Sequence, residues 1–219
     1  MDKPAKLAIF GIVIGVGLFF AMRQKPASGQ SYLAEITDTV TDTVQSVASD
    51  LTGGFFLKVS AMKTANVADL NNKNVQAFLK VIRQGEGTAD ANGYRRIFGG
   101  QLFTSFADHP RITVSKSGYR SSAAGAYQFI ISTWDETKRI MGLTDFSPAT
   151  QDLAALGRIV ARGALDDVKA GYFEKAVKKC AREWASLPFS PYGQPVLTIA
   201  KATATYTSNG GVINEEFTA

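Results

Sequence analysis

Glu86 is the residue whose position most directly suggests chemistry. It ends an apolar-striped segment, stands between two glycines and precedes a stretch rich in loop-forming residues. A carboxyl group at the mouth of a cleft, beside apolar walls, has its charged form disfavoured, so it can stay protonated and act as a general acid. Cleavage of a glycosidic bond needs such a donor, because the leaving sugar alkoxide is otherwise too basic. An exposed glutamate at a helix end would show the same local pattern, so both interpretations stay open here.

The sequence contains few residues that could support other kinds of catalysis. The single histidine, His109, is followed by a proline and argues against a histidine-based metal site or a Ser-His-Asp triad, so we expect no metal and no cofactor. The single cysteine, Cys180, excludes an internal disulfide and is predicted to be buried in an amphipathic pattern. The net charge of +5 suits a polyanionic partner. Because the cations are scattered, no nucleic-acid partner is expected.

The first part of the chain differs in character from the rest. Residues 7–22 form an uninterrupted apolar run of sixteen residues between Lys6 and Arg23. As a helix the run would rise roughly 24 Å, and its flanking cations can snorkel to cover the remaining membrane thickness. We therefore predict a transmembrane anchor over residues 1–25. A cleaved signal peptide or a soluble core helix is the alternative, although large and basic residues follow the run where a signal peptide would need small ones.

The rest of the chain is predicted to contain a linker and one catalytic domain. Residues 26–70 form the linker, and apolar residues between positions 33 and 51 recur there at spacings of three and four, which predicts an acidic amphipathic helix. Residues 71–219 form the domain, with loops and a small antiparallel sheet over 92–122. Helices are predicted near 126–140, 148–162, 171–186 and 193–207. The predicted fold class is α+β, mainly α.

Eight short stretches of this domain occur in the order found in a known family. They are 85–88, 99–104, 108–111, 124–128, 146–148 with 151–152, 162–165, 184–188 and 192–194. Each is weak alone, but together they make residues 76–193 resemble the lambda-type phage lysozymes, which are peptidoglycan lytic transglycosylases. The resemblance implies a lysozyme-like catalytic domain.

The resemblance also implies a mechanism in which Glu86 is the general acid. The C6 hydroxyl of the same N-acetylmuramic acid attacks the anomeric carbon and leaves a 1,6-anhydro end, so no second carboxylate has to activate water. The aspartate that a phage T4-type lysozyme places nine positions after its glutamate is Arg95 here. Two-carboxylate hydrolysis through Asp90 or Asp108 is the alternative. A non-catalytic cell-wall-binding protein is a further one.

Five residues are predicted to bind substrate. The resemblance places Tyr127 and Gln128 in a turn across the cleft from the acid, where a phenol and an amide can hold sugar groups or orient the acid. Tyr192 is predicted as a sugar-stacking wall, with Gln194 and Asp108 also at the cleft. A core position for Tyr127 is an equal alternative. For Asp108, a structural salt-bridged turn is the favoured interpretation.

Other residues of these stretches have structural interpretations. Trp134 and Trp184 fall on apolar faces and are predicted to lie in the core, and three phenylalanines are predicted to pack the small sheet: Phe98, Phe103 and Phe106. The sequence departs from the family at two places beside the predicted cleft. Gln84-Gly85 replaces the residues that commonly precede the acid, and positions 189–191 replace a small-residue stretch.

The expected partners are peptidoglycan glycan strands and, through residues 7–22, a membrane. The predicted catalytic domain faces the bacterial periplasm. One deployment is a virion-borne membrane protein that opens the wall for genome entry and assembles with other virion proteins, which the acidic stripe at 33–51 favours. The other is a lysis enzyme released from the host inner membrane, which the glycines of the apolar run favour. Both stay open.

Overall fold

The structure is a computed structural model that describes residues 61–116 and 118–215. Within them the helices are α1 (Lys73–Gly85), α2 (Ile131–Met141), α3 (Pro148–Ala161), α4 (Leu165–Ala170), α5 (Phe173–Cys180) and α6 (Ile199–Ser208). Two 3₁₀ turns (Val67–Asn71 and Gly93–Arg95) and a hairpin of β1 (Val114–Lys116) and β2 (Tyr119–Ser121) complete the order. The strands are antiparallel, with Val114 opposite Ser121. This mainly helical fold with a small antiparallel sheet confirms the predicted fold class.

Helix α1 is the central helix and carries the predicted acid at its end. Asn72 caps its first turn, because its side-chain oxygen accepts hydrogen bonds from two backbone N–H groups. Val75, Phe78 and Ile82 recur at helical spacing and are fully buried. This face packs against α4 and α6. Burial of the apolar stripe therefore fixes the position of Glu86, which directly follows the last helical residue.

The other helices differ from the predicted ones mainly at their ends. The predicted helix over 126–140 begins at Ile131, because residues 124–129 form a tight turn. The predicted helix over 171–186 ends at Cys180, and the chain then forms turns that bring Glu183 against two arginines. The predicted helix over 193–207 begins at Ile199. Helix α4, six residues long, was not predicted.

The core contains the aromatic residues and the cysteine that the sequence places there. Trp134, Trp184 and Cys180 are all buried, as predicted. Phe103 is also buried and contacts Phe106 edge-on, with ring centroids 5.5 Å apart. Phe103 also packs against Phe146, which lies just before α3, and most of the hairpin residues are exposed. Packing of the phenylalanines on the small sheet stays a prediction.

Both ends of the described chain pack beside the start of α1. Met62 is 2% exposed, and the turn Val67–Asn71 contacts α1 and α3, so part of the predicted linker packs with the domain. At the other end, Val212 donates its backbone N–H to the side chain of Asn74 at 2.8 Å. The predicted anchor at 7–22 and the acidic helix at 33–51 lie outside the described residues. Within the described residues, no helix is both long and apolar enough to cross a membrane.

Candidate active site

Glu86 lies at the C-terminal end of α1 and is half-buried. Its backbone is still helical, with φ −75° and ψ −2°, and its N–H donates to the carbonyl of Ile82 at 2.9 Å. Gly87 follows in the left-handed conformation, with φ 68°, and takes the chain out of the helix. The last turn of a buried helix therefore holds the carboxyl while the chain leaves in another direction.

The carboxyl of Glu86 is held in a state suited to proton donation. Burial raises its pKa from 4.5 to about 7, because the charged form loses hydration. A hydrogen bond opposes this effect, since Oγ of Ser186 donates to Oε1 of Glu86 at 2.6 Å and lowers the pKa. Burial is the larger effect. A large fraction of the carboxyl therefore keeps its proton near neutral pH, as a general acid requires.

Three segments around Glu86 are tied to one another: the loop that follows it, the turn at 124–129 and the segment at 184–188. Thr88 donates its hydroxyl to the carbonyl of Ala126. Arg96 donates from Nη1 to the carbonyl of Gly87 at 2.9 Å. Trp184 donates its indole N–H to the carbonyl of Tyr127 at 3.3 Å. These bonds fix the surroundings of the acid as one framework.

The turn at 124–129 is shaped by a buried amide that the sequence did not single out. Gln151 of α3 accepts the N–H of Ala126 on Oε1 at 2.8 Å and donates from Nε2 to two backbone carbonyls. Gly125 has φ 79°, and a Cβ there would collide with Gln151. The turn therefore depends on a glycine at one position and on a fully buried glutamine behind it.

Tyr127 points into the protein. It is 2% exposed, and its hydroxyl donates to Asp152 at 2.6 Å. Tyr94 donates to the same carboxylate at 2.8 Å. Burial raises the pKa of Tyr127 well above its usual value, and the nearby charge of Asp152 adds to this effect. The direct sugar contact predicted for Tyr127 does not fit this position, because the side chain offers no surface to a ligand. The core position, which the sequence left as an equal alternative, is the one that the burial of Tyr127 supports.

Gln128 lies in the same turn and contacts Arg96, whose side chain in turn bonds to Gly87 in the loop after Glu86. Its Nε2 donates to the carbonyls of Arg96 at 3.1 Å and Gly125 at 2.9 Å. Its backbone is left-handed, with φ 48°, a conformation that is uncommon for residues other than glycine. The side chain is half-buried. Gln128 thus braces the site, and its contact with substrate stays a prediction.

Asp108 precedes α2 in the chain and packs against it, among charged and polar groups of the helix and of its own turn. Its carboxylate accepts from the indole of Trp134 at 2.8 Å, from Lys138 at 3.1 Å and from Arg111 at 3.2 Å. Burial raises the pKa of Asp108, but these bonds outweigh it and hold the pKa well below the usual range. The salt-bridged turn interpretation is confirmed. Substrate binding by Asp108 stays a prediction.

The turn at 108–111 also supports the turn at 124–129. The Nε2 atom of His109 lies 2.8 Å from the carbonyl of Phe129, and Nδ1 accepts the N–H of Arg111 at 3.1 Å. Both ring nitrogens are therefore occupied by backbone groups. Burial lowers the pKa of His109, which favours the neutral ring that these contacts require.

Tyr192 and Gln194 lie beyond the segment at 184–188. The hydroxyl of Tyr192 donates to the carbonyl of Arg182 at 3.0 Å, and the residue is half-buried. Gln194 is exposed. Their roles in sugar binding stay predictions. Ser186, by contrast, contacts the acid directly and was not predicted, because nothing in the sequence relates it to a glutamate 100 positions away.

The chain was compared with known proteins. A family model described as Endolysin matches residues 76–213. The endolysin of Escherichia phage lambda is 37% identical over 156 residues, which is 68% of this chain and 98% of that protein. The endolysin of Escherichia phage P2 is 36% identical over 157 residues, which is 64% of this chain and 95% of that protein. The solved structure of bacteriophage lambda lysozyme complexed with a chitohexasaccharide is 37% identical, with a TM-score of 0.62 over 65% of this chain and 97% of that one. The chain therefore belongs to the endolysin family.

Proposed function

We propose that the protein is a peptidoglycan lytic transglycosylase with Glu86 as its general acid. The bond cleaved is the β-1,4 linkage between N-acetylmuramic acid and N-acetylglucosamine. The observation that carries the proposal is the half-buried carboxyl at the end of α1, whose pKa is raised to about 7. Such a group holds a proton at neutral pH and can pass it to the bridging oxygen.

The nature of the substrate is supported by family membership. As an endolysin-family member, the protein is a cell-wall-degrading enzyme. The lambda lysozyme, at 37% identity, was solved with a chitohexasaccharide, which supports a glycan strand as the substrate of this chain. The segment at 184–188 contacts Glu86 through Ser186 and is bonded to the turn at 124–129, so a strand bound against the carboxyl would lie beside this framework.

The proposed reaction is one proton-coupled displacement within a muramic acid residue. The Glu86 proton passes to the bridging oxygen, and the bond from that oxygen to the anomeric carbon breaks. The C6 oxygen of the same sugar bonds to the anomeric carbon, and its proton passes to the Glu86 carboxylate. The carboxyl is thus regenerated in its protonated form. Because the nucleophile belongs to the substrate, it is already held near the carbon it attacks.

Two-carboxylate hydrolysis has weaker support from the two aspartates that the sequence offered. Asp108 is held by Trp134, Lys138 and Arg111, and its pKa lies well below its usual range, so it is a poor base for activating water. Asp90 is exposed and forms an ion pair with Arg96 at 2.7 Å. Both carboxylates are therefore engaged by cations of the protein, and neither is left free to orient and activate a water molecule.

The place of action is also a proposal. The apolar run at 7–22, with a cation on each side, supports membrane attachment. A peptidoglycan substrate would require the catalytic domain to face the periplasm. Two deployments fit this arrangement. The protein could be attached in the virion membrane, together with other virion proteins, for genome entry, or in the host inner membrane for lysis.

The reaction products test the proposal. Purified sacculi digested with the full chain should yield anhydromuropeptides, which lack one water relative to hydrolysed ends, in mass spectrometry. On a gel that contains peptidoglycan, the wild type should clear a zone and Glu86→Gln should not, because the amide has no proton to donate as an acid. Glu174→Gln, on the exposed face of α5, is the matched control and should clear like the wild type. Reducing ends without anhydro ends would establish hydrolysis instead.

A further inference from the structure

We infer that Ser186 is a positioning residue that orients the carboxyl of Glu86 for proton transfer, and that Gly85 is glycine because Ser186 must approach it closely. The inference rests on the proposed function, since it concerns the proton that Glu86 would donate. It gives a role to Ser186, which no local sequence pattern connects with the acid, and to Gly85, where the sequence departs from its family.

The contact itself is short and joins two rigid parts of the protein. Oγ of Ser186 donates to Oε1 of Glu86 at 2.6 Å. The backbone of Ser186 is fixed, because its carbonyl accepts the N–H of Leu197 at 2.7 Å. Its neighbour Leu187 is fully buried, and Trp184 is bonded to the turn at 124–129. The hydroxyl is therefore aimed at the carboxyl by a segment that has little freedom to move.

Gly85 provides the space in which this hydroxyl lies. A Cβ added at Gly85 would stand 2.6 Å from Oγ and 3.2 Å from Cβ of Ser186. The backbone of Gly85 is helical and does not need glycine, and glycine in a helix is roughly 1 kcal/mol less favourable than alanine. The close approach of Ser186 accounts for a residue that helix propensity alone disfavours. A side chain at position 85 would force the hydroxyl to rotate away from Glu86.

One donated hydrogen bond has two consequences for the acid. Because Ser186 occupies Oε1 as a donor, the carboxyl proton is directed to Oε2, and one oxygen of the two is presented to the substrate. After the proton has left, the same bond stabilises the carboxylate, since hydrogen bonds to charged groups are the stronger ones. Ser186 therefore assists both halves of the proton cycle without itself contacting the reacting atoms.

The test measures rate and pH dependence in the full chain. Ser186→Ala should lower kcat on solubilised glycan strands about tenfold and leave KM nearly unchanged. The alkaline limb of its pH profile should move up by about one pH unit, because a donor that favours the charged carboxyl is gone. A purely structural role would lower thermal stability but would leave that limb in place. Ser208→Ala is the matched control, because Ser208 is exposed at the end of α6 and its hydroxyl donates to the carbonyl of Thr205 in the same helix.

Gly85→Ala tests the same contact from the other side. We expect a loss of kcat similar to that of Ser186→Ala, because the added methyl group displaces the hydroxyl. In the double variant the losses should not add, since both changes remove one hydrogen bond. Additive losses would mean that Gly85 acts independently of Ser186 and would overturn its part of the inference.

The outcomes separate this inference from the proposed function. If Glu86→Gln is inactive while Ser186→Ala keeps the wild-type rate and alkaline limb, the positioning role is wrong and the proposed function stands. A slower Ser186→Ala variant whose alkaline limb has not moved also overturns it. If Glu86→Gln degrades walls like the wild type, the proposed function fails and the inference fails with it.

Discussion

Replacing Glu86 with glutamine should make the protein more stable at alkaline pH while abolishing its activity. The carboxyl is half-buried, and burial raises its pKa from 4.5 to about 7. The stability that the neutral carboxyl contributes is present in full below pH 4.5, and it is lost as the pH rises through about 7. Above that pH the wild type holds a poorly hydrated negative charge. Glutamine has nearly the same shape, carries no charge and can still accept the hydrogen bond from Ser186.

The size of the effect follows from the pKa. Each pKa unit corresponds to about 1.36 kcal/mol, so the change from 4.5 to about 7 amounts to about 3 kcal/mol. For a chain of this size, each kcal/mol moves Tm by roughly 2–4 °C, which gives an increase of about 6–12 °C at pH 8.5. At pH 4 both side chains are neutral, and the two proteins should unfold at nearly the same temperature.

Calorimetry of the two proteins at pH 4 and pH 8.5 measures this difference directly. Glu174→Gln is the matched control, because Glu174 is 56% exposed and pairs with Lys178 on the surface of α5. Its loss should change stability by about 0.5 kcal/mol or less at either pH. If Glu86→Gln shifts Tm equally at both pH values, the destabilisation that we assign to the buried charge is wrong. The argument that Glu86 keeps its proton near neutral pH would then be refuted too.

Two further predictions concern the rest of the chain. Glu183→Gln should destabilise the fold by about 3–5 kcal/mol at pH 7 in chemical unfolding, because Arg158 and Glu183 are 4% and 5% exposed and the arginine loses a counter-charge. Burial raises the pKa of Glu183, but Arg158 and Arg162 outweigh this effect and hold the pKa below its usual value of 4.5. The stability difference should therefore shrink as the pH falls below 4.5 and the carboxyl of the wild type takes up a proton, and a constant difference would contradict this. A chain that begins at Ala61 keeps the buried Met62 and should be soluble and degrade walls, while the full chain should sediment with membranes. An unfolded truncated chain would mean that the segment at 33–51 belongs to the catalytic core.

The sequence was informative wherever function follows from local pattern. The position of Glu86 at a helix end could be predicted because an apolar stripe of period 3.6 ends directly before it, and the stripe is the buried face of α1. Trp134, Trp184 and Cys180 could be placed in the core by the same periodicity. These predictions concern residues whose surroundings are set by neighbours within a few positions in the chain.

Features that depend on contacts between distant segments were missed. The pattern of the sequence assigned residues 126–129 to a helix, although the resemblance placed Tyr127 and Gln128 in a turn. The turn depends on the buried amide of Gln151 and not on the propensities of its own residues. The sequence left the cleft and the core as equal alternatives for Tyr127, because the carboxylate that accepts its hydroxyl, Asp152 of α3, lies 25 positions away. Ser186 is separated from Glu86 by 100 positions, and only the folded chain brings its hydroxyl to the acid.

The return of the chain end to Asn74 has a consequence for how the enzyme can be carried. The first and last described segments both pack at the N-terminal end of α1, whereas Glu86 follows its C-terminal end. The 13 residues of α1 separate these two places by about 20 Å. The described chain therefore begins and ends on the side of the domain away from Glu86. In the membrane-attached arrangement proposed above, Glu86 would lie on the side of the domain away from the attached segment.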